Sequence, residues 1–136
     1  MASETRILPD GEALPPLDSD DSRAEEGAEL IFHGRVRRGE GELSIVALHY
    51  EHYEGMAEKE LAALAAECAA RFEIRDITCL HRVGRVAVGE ASLRVEIWSA
   101  HRGPAIEALA WFISELKQRV PIWKWAVTAD GTRAPT

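Results

Sequence analysis

The stretch WSAHRGPAIEALAWFISELKQRVPIWKW, residues 98–125, decides how the chain is organised. Apolar residues recur at helical spacing through its middle, which predicts an amphipathic helix. Pro104 suits the first helical position, because its missing N–H is not needed there. Pro121 disfavours helical geometry in the residue before it, so the helix is expected to end near Arg119.

Basic side chains stand at both ends of this predicted helix. His101 and Arg102 lie just before its N-terminus, where free backbone N–H groups and the helix dipole favour a bound anion. Lys117 lies in the last turn, and Lys124 lies on the extended segment beyond it. The pattern predicts a small-anion site. The alternative is that His101 and Arg102 only cap the helix while the lysines are solvated.

The length of the helix decides how such a site could be built. Gly103 and Lys117 are separated by roughly four turns, or about 20 Å at 1.5 Å per residue. One small ligand therefore cannot touch both ends of the same helix. Either the chain has two sites, or one site is shared between two copies. Because a two-fold axis brings opposite helix ends together, we expect a homodimer with a composite pocket.

Composition narrows the possible functions. A chain of 136 residues with 46% hydrophobic and 29% charged residues is expected to form one globular domain. Its net charge of −7 argues against a nucleic-acid binder, which needs a broad basic face. A small anionic ligand stays compatible with that charge, because the potential in a pocket can oppose the net charge.

Cysteine and histidine usage predicts neither a disulfide nor a metal. Cys68 and Cys79 lie in apolar segments and are expected to be buried free thiols, as in a reducing compartment. His49 and His52 lack a carboxylate or cysteine at a recognisable ligand spacing, so no metal or other cofactor is expected. With no leader and no apolar run of membrane length, the expected location is the cytoplasm, without a membrane partner.

Periodicity along the chain predicts an α+β fold. Residues 1–26 are acidic and proline-containing and are expected to be partly loop, with a short edge strand at 7–8 and a short helix around 23–26. Residues 27–131 are expected to form the domain, and residues 132–136 a short mobile tail.

Within the domain, a mostly antiparallel sheet with packed helices is expected. The predicted elements in chain order are a strand at 30–37, a strand at 43–52, a helix at 56–72, strands at 74–84 and 93–98, the helix described above, and a strand at 122–127. Gly34 indicates a bulge in the first of these strands, and Arg35 and Arg37 share one face of it.

Several motifs together resemble one known family. In order, they are FHGRVR at 32–37, EHYEGM at 51–56, HRVG at 81–84, SAHR at 99–102 and LKQRVPIWK at 116–124. Each motif is weakly specific alone, but the series, over about residues 27–131, resembles the large, catalytic subunit of molybdopterin synthase.

That resemblance implies a fold, an activity and partners. The fold is an α/β hammerhead-like arrangement in a central homodimer, with a small ubiquitin-like sulfur carrier at each end of a heterotetramer. The carrier's C-terminal thiocarboxylate would supply sulfur to cyclic pyranopterin monophosphate, which becomes the dithiolene of molybdopterin. This is a sulfurtransferase reaction of molybdenum cofactor biosynthesis.

The resemblance also implies site residues. Lys117 and Lys124 correspond to the two catalytic lysines, and Arg37 corresponds to a substrate-binding arginine. His101 and Arg102 correspond to a pair that enters the pocket from the opposite protomer, in agreement with the helix-length argument. As a hypothesis, Lys117 is the general acid or base, and Lys124 orients the thiocarboxylate.

The chain also departs from the family pattern. Ala126 stands where family members carry an acidic residue, and the family usually extends past the position of Thr136 with a further basic residue. The alternative function is therefore a non-catalytic homologue that binds a ubiquitin-like sulfur-carrier tail or regulates the active enzyme.

Overall fold

The structure is a computed structural model that describes residues 2–18 and 20–136. Within those residues, ten strands and two helices follow one another along the chain. In order they are β1 (Ala2–Ile7), β2 (Ala28–Arg35), β3 (Gly39–Glu40), β4 (Leu43–Ser44), β5 (Ala47–His52), α1 (Met56–Arg71), β6 (Asp76–His81), β7 (Gly84–Ala87), β8 (Ala91–Ser99), α2 (Arg102–Arg119), β9 (Ile122–Val127) and β10 (Arg133–Pro135).

The described strands form two four-stranded sheets and a small hairpin. The first sheet has the order β1-β6-β8-β2, the second has the order β10-β9-β5-β7, and β3 pairs with β4. All pairings are antiparallel except that of β1 with β6. The predicted α+β fold with mostly antiparallel strands is confirmed, although the strands divide between two sheets rather than one.

Each four-stranded sheet contributes to its own apolar core. Both helices pack on the first sheet, where Leu61 and Leu64 of α1 and Phe112 of α2 are fully buried. The second core is smaller and includes Leu48 and Ala126 on one face of the second sheet. Since full burial of a large apolar side chain stabilises a fold by about 1.5–3 kcal/mol, the first core fixes the position of both helices.

Helix α2 has the predicted end and an earlier start. It ends at Arg119, where the Val120 N–H donates to the Leu116 carbonyl at 3.1 Å and Pro121 follows. The helix begins at Arg102, so Pro104 is its third residue rather than its first. A proline is tolerated there because the first four N–H groups of a helix have no partner within it.

The N-terminal segment contains more regular structure than its composition indicates. The expected edge strand is present but longer and earlier than 7–8: β1 covers Ala2–Ile7 at the edge of the first sheet and pairs in parallel with β6. Residues 23–26 are not helical. The chain after β1 is held by the β6–β7 corner, where the Leu8 N–H donates to the His81 carbonyl at 2.9 Å and the Arg82 guanidinium donates to the Glu12 carbonyl at 3.0 Å.

The C-terminal residues also differ from the expected mobile tail. Arg133–Pro135 forms β10, which pairs antiparallel with β9. The Gly131 N–H donates to the Thr128 carbonyl at 2.9 Å and closes the turn that brings the chain back. This pairing carries Thr136 to the edge of a cleft described below.

Both cysteines are buried and neither forms a disulfide within the described chain. Burial raises the pKa of the Cys68 thiol, with a further increase from the charge of Glu67, and it raises that of the Cys79 thiol, to about 12 in each case. The thiols are therefore neutral and packed as small apolar groups, as predicted.

Candidate active site

A cleft of about 500 Å³ opens where the C-terminal end of α2 meets the second sheet and the end of β2. Its lining includes the apolar side chains of Phe32, Leu48, Leu93, Ile113, Leu116, Ile122 and Trp123. Its polar lining consists of Arg35, Arg37, Tyr50, His81, Ser92, Lys117, Lys124 and Thr136. A cleft of this size with a few convergent polar groups is the usual form of a small-molecule site.

Four permanent or potential cations face this cleft. They are Arg35, Arg37, Lys117 and Lys124, and no aspartate or glutamate occurs among the lining residues of the described chain. The local charge is therefore positive although the whole chain carries a net charge of −7. Such a cleft concentrates anionic ligands.

Separate elements deliver these cations. A register shift between Gly34 and Arg35 interrupts the pairing of β2 with β8, as the glycine predicted. Arg35 donates a hydrogen bond to the Gly89 carbonyl in the turn between β7 and β8. Lys117 follows the buried Leu116 in the last turn of α2. Fixed backbone on several elements thus sets the spacing of the charges.

Neutral groups line the cleft beneath the cations. The Tyr50 and Ser92 hydroxyls are hydrogen-bonded at 3.1 Å, and the Tyr50 ring meets the His81 ring edge-on with 5.3 Å between centroids. The His81 Nδ1 lies 2.7 Å from the Arg82 carbonyl oxygen, so Nδ1 carries the proton and donates it. Burial raises the pKa of the Tyr50 phenol and lowers that of the His81 imidazole.

Lys124 has a carboxylate partner. Its Nζ lies 3.5 Å from Glu40 Oε1, and the Thr136 hydroxyl donates to the same oxygen at 2.7 Å. The Thr136 hydrogen bond, followed by the charges of Lys124 and Arg37, holds the pKa of the Glu40 carboxyl below its ordinary value. The hairpin, β9 and the C-terminal residues therefore meet at this point.

The other predicted cations lie outside the cleft. His101 and Arg102 are exposed at the opposite end of α2. His101 occupies the N-cap position with extended backbone, but its side chain makes no capping hydrogen bond. The observed geometry thus gives no support to a purely capping role for His101, and it leaves both side chains open to a ligand or to another chain.

Of the five predicted site residues, the structure brings Arg37, Lys117 and Lys124 together, and it leaves His101 and Arg102 at a distance. Sequence reasoning did not select other polar residues of the site, namely Arg35, Glu40, Tyr50, His81, Ser92 and Thr136. The shared strand face of Arg35 and Arg37 was a usable signal for Arg35; the other residues come together only through sheet pairing.

Two further expectations concern metals and membranes. Within residues 2–18 and 20–136, no group of three or more His, Cys, Asp and Glu side chains is placed to hold a metal ion. His52 instead lies 3.5 Å from Glu58. In the same described residues, no helix combines the length and apolar character needed to cross a bilayer.

Comparison with known proteins assigns the family. The family model described as MoaE protein matches residues 13–119. The chain belongs to the MoaE protein family. Among its curated relatives, the molybdopterin synthase catalytic subunit of Thermoplasma volcanium is 38% identical over 109 residues, which cover 80% of each chain. The Escherichia coli protein of the same name is 39% identical over 123 residues, which cover 90% of this chain and 80% of that protein.

Solved structures of the family share the fold. Molybdopterin synthase from Staphylococcus aureus aligns with a TM-score of 0.76 and 28% identity, covering 89% of this chain and 92% of that chain. Molybdopterin cofactor biosynthesis protein E from Burkholderia multivorans aligns with a TM-score of 0.74 and 27% identity over 100% and 91% of the two chains.

One departure from the family pattern has a structural counterpart. Ala126, which stands where an acidic residue was expected, is fully buried in the second core and pairs with Leu48 of β5. The carboxylate next to Lys124 comes instead from Glu40, on a different element. A carboxylate therefore lies beside Lys124 although β9 itself does not supply it.

Proposed function

We propose that this chain is the catalytic subunit of a molybdopterin synthase. It transfers sulfur from the C-terminal thiocarboxylate of a small ubiquitin-like carrier to cyclic pyranopterin monophosphate and so forms the dithiolene of molybdopterin. The observation that carries the proposal is the cleft of a MoaE-family chain, into which Arg35, Arg37, Lys117 and Lys124 converge. Among the residues that the structure describes, no acidic side chain lines this cleft.

The residue types in the cleft suit both anionic reactants. A cyclic phosphate is recognised by charge-assisted, forked donors, which Arg37 can supply. The carrier ends in a second anion, and the ammonium of Lys124 is a suitable partner for it. For each sulfur transferred, the acyl–sulfur bond of the carrier breaks and the acyl carbon takes an oxygen to become a carboxylate. At the pterin, a carbon–oxygen bond breaks and a carbon–sulfur bond forms in its place. Negative charge that develops on oxygen is stabilised by fixed cations.

Proton transfer is assigned to Lys117. The reaction makes and breaks bonds at carbonyl and alkoxy oxygens, so protons must be supplied and removed. A lysine that becomes desolvated among other cations loses its proton more easily and serves as a general acid or base near neutral pH. Lys117 lies in the cleft with Lys124 and Arg37.

The complete site is proposed to be shared by two protomers. Arg102 begins α2 and Lys117 lies in its last turn, so their backbones are about 22 Å apart along the helix at 1.5 Å per residue. Arg102 and His101 reach the substrate only if they enter the cleft of a second copy. We therefore propose a homodimer in which His101 and Arg102 bind the pterin phosphate beside the partner's lysines.

The carrier is proposed to dock beside the cleft, one at each end of the dimer. Trp123 lines the cleft and is 45% exposed. Tyr53, which is 61% exposed, lies close by, because its N–H donates to the Pro121 carbonyl at 3.1 Å. Exposed aromatic side chains next to a cationic cleft suit a partner whose extended tail ends in an anion. The unpaired cysteines favour a cytoplasmic location for this assembly.

Reconstitution tests the proposed function. The purified chain is incubated with a thiocarboxylated carrier and cyclic pyranopterin monophosphate, and molybdopterin is measured as its fluorescent oxidation product. We expect product that depends on all three components. Carrier binding without product would contradict the enzymatic assignment and support the non-catalytic homologue, for which the absence of an acidic side chain at Ala126 is the specific observation.

A further inference from the structure

The two lysines of the cleft have different surroundings. Lys124 lies 3.5 Å from the Glu40 carboxylate, whereas Lys117 has no carboxylate oxygen within 4.0 Å among the residues that the structure describes. Both side chains face the same cleft. The two lysines therefore differ in their local partner and in their exposure, since Lys117 is exposed and Lys124 is half-buried.

Glu40 is itself held in place. It lies in β3, whose pairing with β4 closes a short hairpin in which Glu40 is opposite Leu43. The Thr136 hydroxyl donates to its Oε1 at 2.7 Å from the opposite side. Its side chain is 20% exposed, compared with 38% for Lys124. A carboxylate fixed by a hairpin and a hydroxyl can restrain a more mobile ammonium.

We propose that Glu40 is a positioning residue of the sulfur-transfer site. It holds the Lys124 ammonium in place at the cleft, so that Lys124 serves as the fixed cation for the carrier's thiocarboxylate. Lys117, which has no carboxylate partner among the residues that the structure describes, is left as the lysine that exchanges a proton. The division of roles between two chemically identical side chains then follows from one carboxylate. This inference rests on the proposed function.

The strand that carries Lys124 does not supply this carboxylate itself. Lys124 and Ala126 lie on the same face of β9, opposite Tyr50 and Leu48 of β5. Ala126 is fully buried and uncharged. Among the described residues, Glu40 is thus the acid within ion-pair distance of Lys124.

Lysine mobility gives a test that does not require activity. The sequence contains three lysines, Lys59, Lys117 and Lys124, so selective ¹³C-lysine labelling yields three side-chain signals, which Lys→Arg variants assign. We expect the Lys124 Cε methylene to be more ordered than that of exposed Lys59. In Glu40→Gln the Lys124 signal becomes as mobile as that of Lys59. Glu42→Gln makes the same charge change at an exposed position of the same hairpin, and it is expected to leave the mobility of the Lys124 signal unaltered.

Kinetics test the consequence for sulfur transfer. We expect Glu40→Gln to lower kcat about 10-fold, because a misplaced reacting group loses effective concentration. The KM for the pterin stays unchanged, Glu40→Asp recovers part of the rate, and Glu42→Gln behaves as wild type. In a Lys124→Ala background, Glu40→Gln has no further effect. Thr136→Ala removes the hydroxyl that holds Glu40, and it lowers kcat by less than Glu40→Gln does.

The outcomes separate this proposal from the proposed function. If Lys124 is equally mobile in wild type and Glu40→Gln, the positioning role is overturned, whether or not the protein makes product. It is also overturned if Glu40→Gln and Glu42→Gln have equal kcat, or if Glu40→Asp is as slow as Glu40→Gln with a lowered Tm. A wild-type chain with ordered Lys124 and no product would instead contradict the proposed function alone.

Discussion

The two ends of α2 differ in how much structure surrounds their basic residues. At the C-terminal end, Lys117 lines a cleft that residues of both sheets complete. At the N-terminal end, His101 and Arg102 are exposed, and the described chain records no side-chain hydrogen bond or ion pair for either. One chain thus gathers its lysines into a cleft and leaves the proposed phosphate-binding pair, His101 and Arg102, facing outwards.

This asymmetry is a consequence of helix geometry. The side chains at the two ends of an 18-residue helix cannot converge on one small ligand, because the helix is about 27 Å long. In the proposed homodimer, a two-fold axis places the exposed end of one helix near the cleft of the other. The variants below test whether the two ends act on the same reaction.

Removal of the proton-transfer group is expected to have the largest effect. Lys117→Ala should lower the rate of molybdopterin formation by about 10²- to 10⁴-fold, the usual contribution of a general acid or base. Carrier binding is expected to persist, because Lys124 and the exposed aromatic residues remain. Lys59→Ala, at an exposed position of α1, is the matched control. A near-normal rate for Lys117→Ala would show that the C-terminal end of α2 takes no part in the reaction.

A substitution that creates a cavity beside the middle of α2 tests whether the first core holds both ends of this helix in position. Phe112 is fully buried, so Phe112→Ala is expected to lower the free energy of unfolding by about 3–5 kcal/mol. Ser114→Ala, at an exposed position of the same helix, is expected to change it by less than about 0.5 kcal/mol. Urea unfolding followed by circular dichroism measures both. Equal stability of the two variants would show that α2 is not anchored as described.

The exposed end is expected to affect activity without affecting stability. Arg102→Ala removes the proposed charge-assisted contact to phosphate and should lower kcat/KM for the pterin by about 10- to 100-fold. Tm stays unchanged, because the side chain is exposed. Arg85→Ala, at an exposed position of β7, controls for the loss of one positive charge. If the two variants have the same kcat/KM, the N-terminal end of α2 does not bind substrate.

The smallest expected effect is on the pH dependence of stability, and it arises from His81, which lines the cleft. Burial, with a contribution from the charge of His52, lowers the pKa of His81 below its ordinary value of 6.5. Between that lowered pKa and 6.5, the unfolded chain binds more protons at this residue than the folded chain does. Stability therefore falls as the pH decreases through this window.

Removal of the imidazole isolates this contribution. His81→Gln is expected to show a smaller decrease in Tm between about pH 7 and pH 5 than wild type. Glutamine does not bind a proton in the unfolded chain, so acid no longer favours unfolding through position 81. Calorimetric melts of both proteins across this range make the comparison. Parallel Tm–pH curves would assign the pH dependence to other groups, such as His33, whose pKa is also lowered by burial and by the charges of Arg94 and Arg35.

Local chemistry made much of the fold predictable. The end of α2 followed from Pro121, and α1 matched its apolar stripe, since the structure has α-helix at Met56–Arg71. The strands predicted at 93–98 and 122–127 correspond to β8 and β9, although β8 is largely buried on both faces rather than half-buried. These features depend on residues close in sequence, which is the range over which periodicity and capping are informative.

The rest of the fold could not be predicted, because it depends on pairing between strands that are far apart in the sequence. Strand β1 is stabilised by parallel pairing with β6, more than 70 residues away, and β10 by pairing with β9. Neither segment is apolar enough to be distinguished from a loop by composition. The division of the strands into two sheets likewise depends on which strands meet, and no local pattern encodes that choice.

The site shows the same limit at the level of side chains. Arg37, Lys117 and Lys124 were predicted from motif and helix position, and the structure places them in one cleft. Glu40 was not selected, because its partner Lys124 is 84 positions away and the two residues meet only through the fold. The catalytic and binding roles of the predicted residues stay proposals that the variants above test.

Subunit mixing tests the shared site most directly. A Lys117→Ala chain and a His101→Ala, Arg102→Ala chain, each inactive alone, are unfolded together, refolded and assayed with carrier and pterin. If each site takes its lysine from one protomer and its phosphate-binding pair from the other, half of the refolded dimers contain one intact site. Activity then returns to about a quarter of the wild-type value per chain. A mixture with no more activity than its separate components would contradict the shared site.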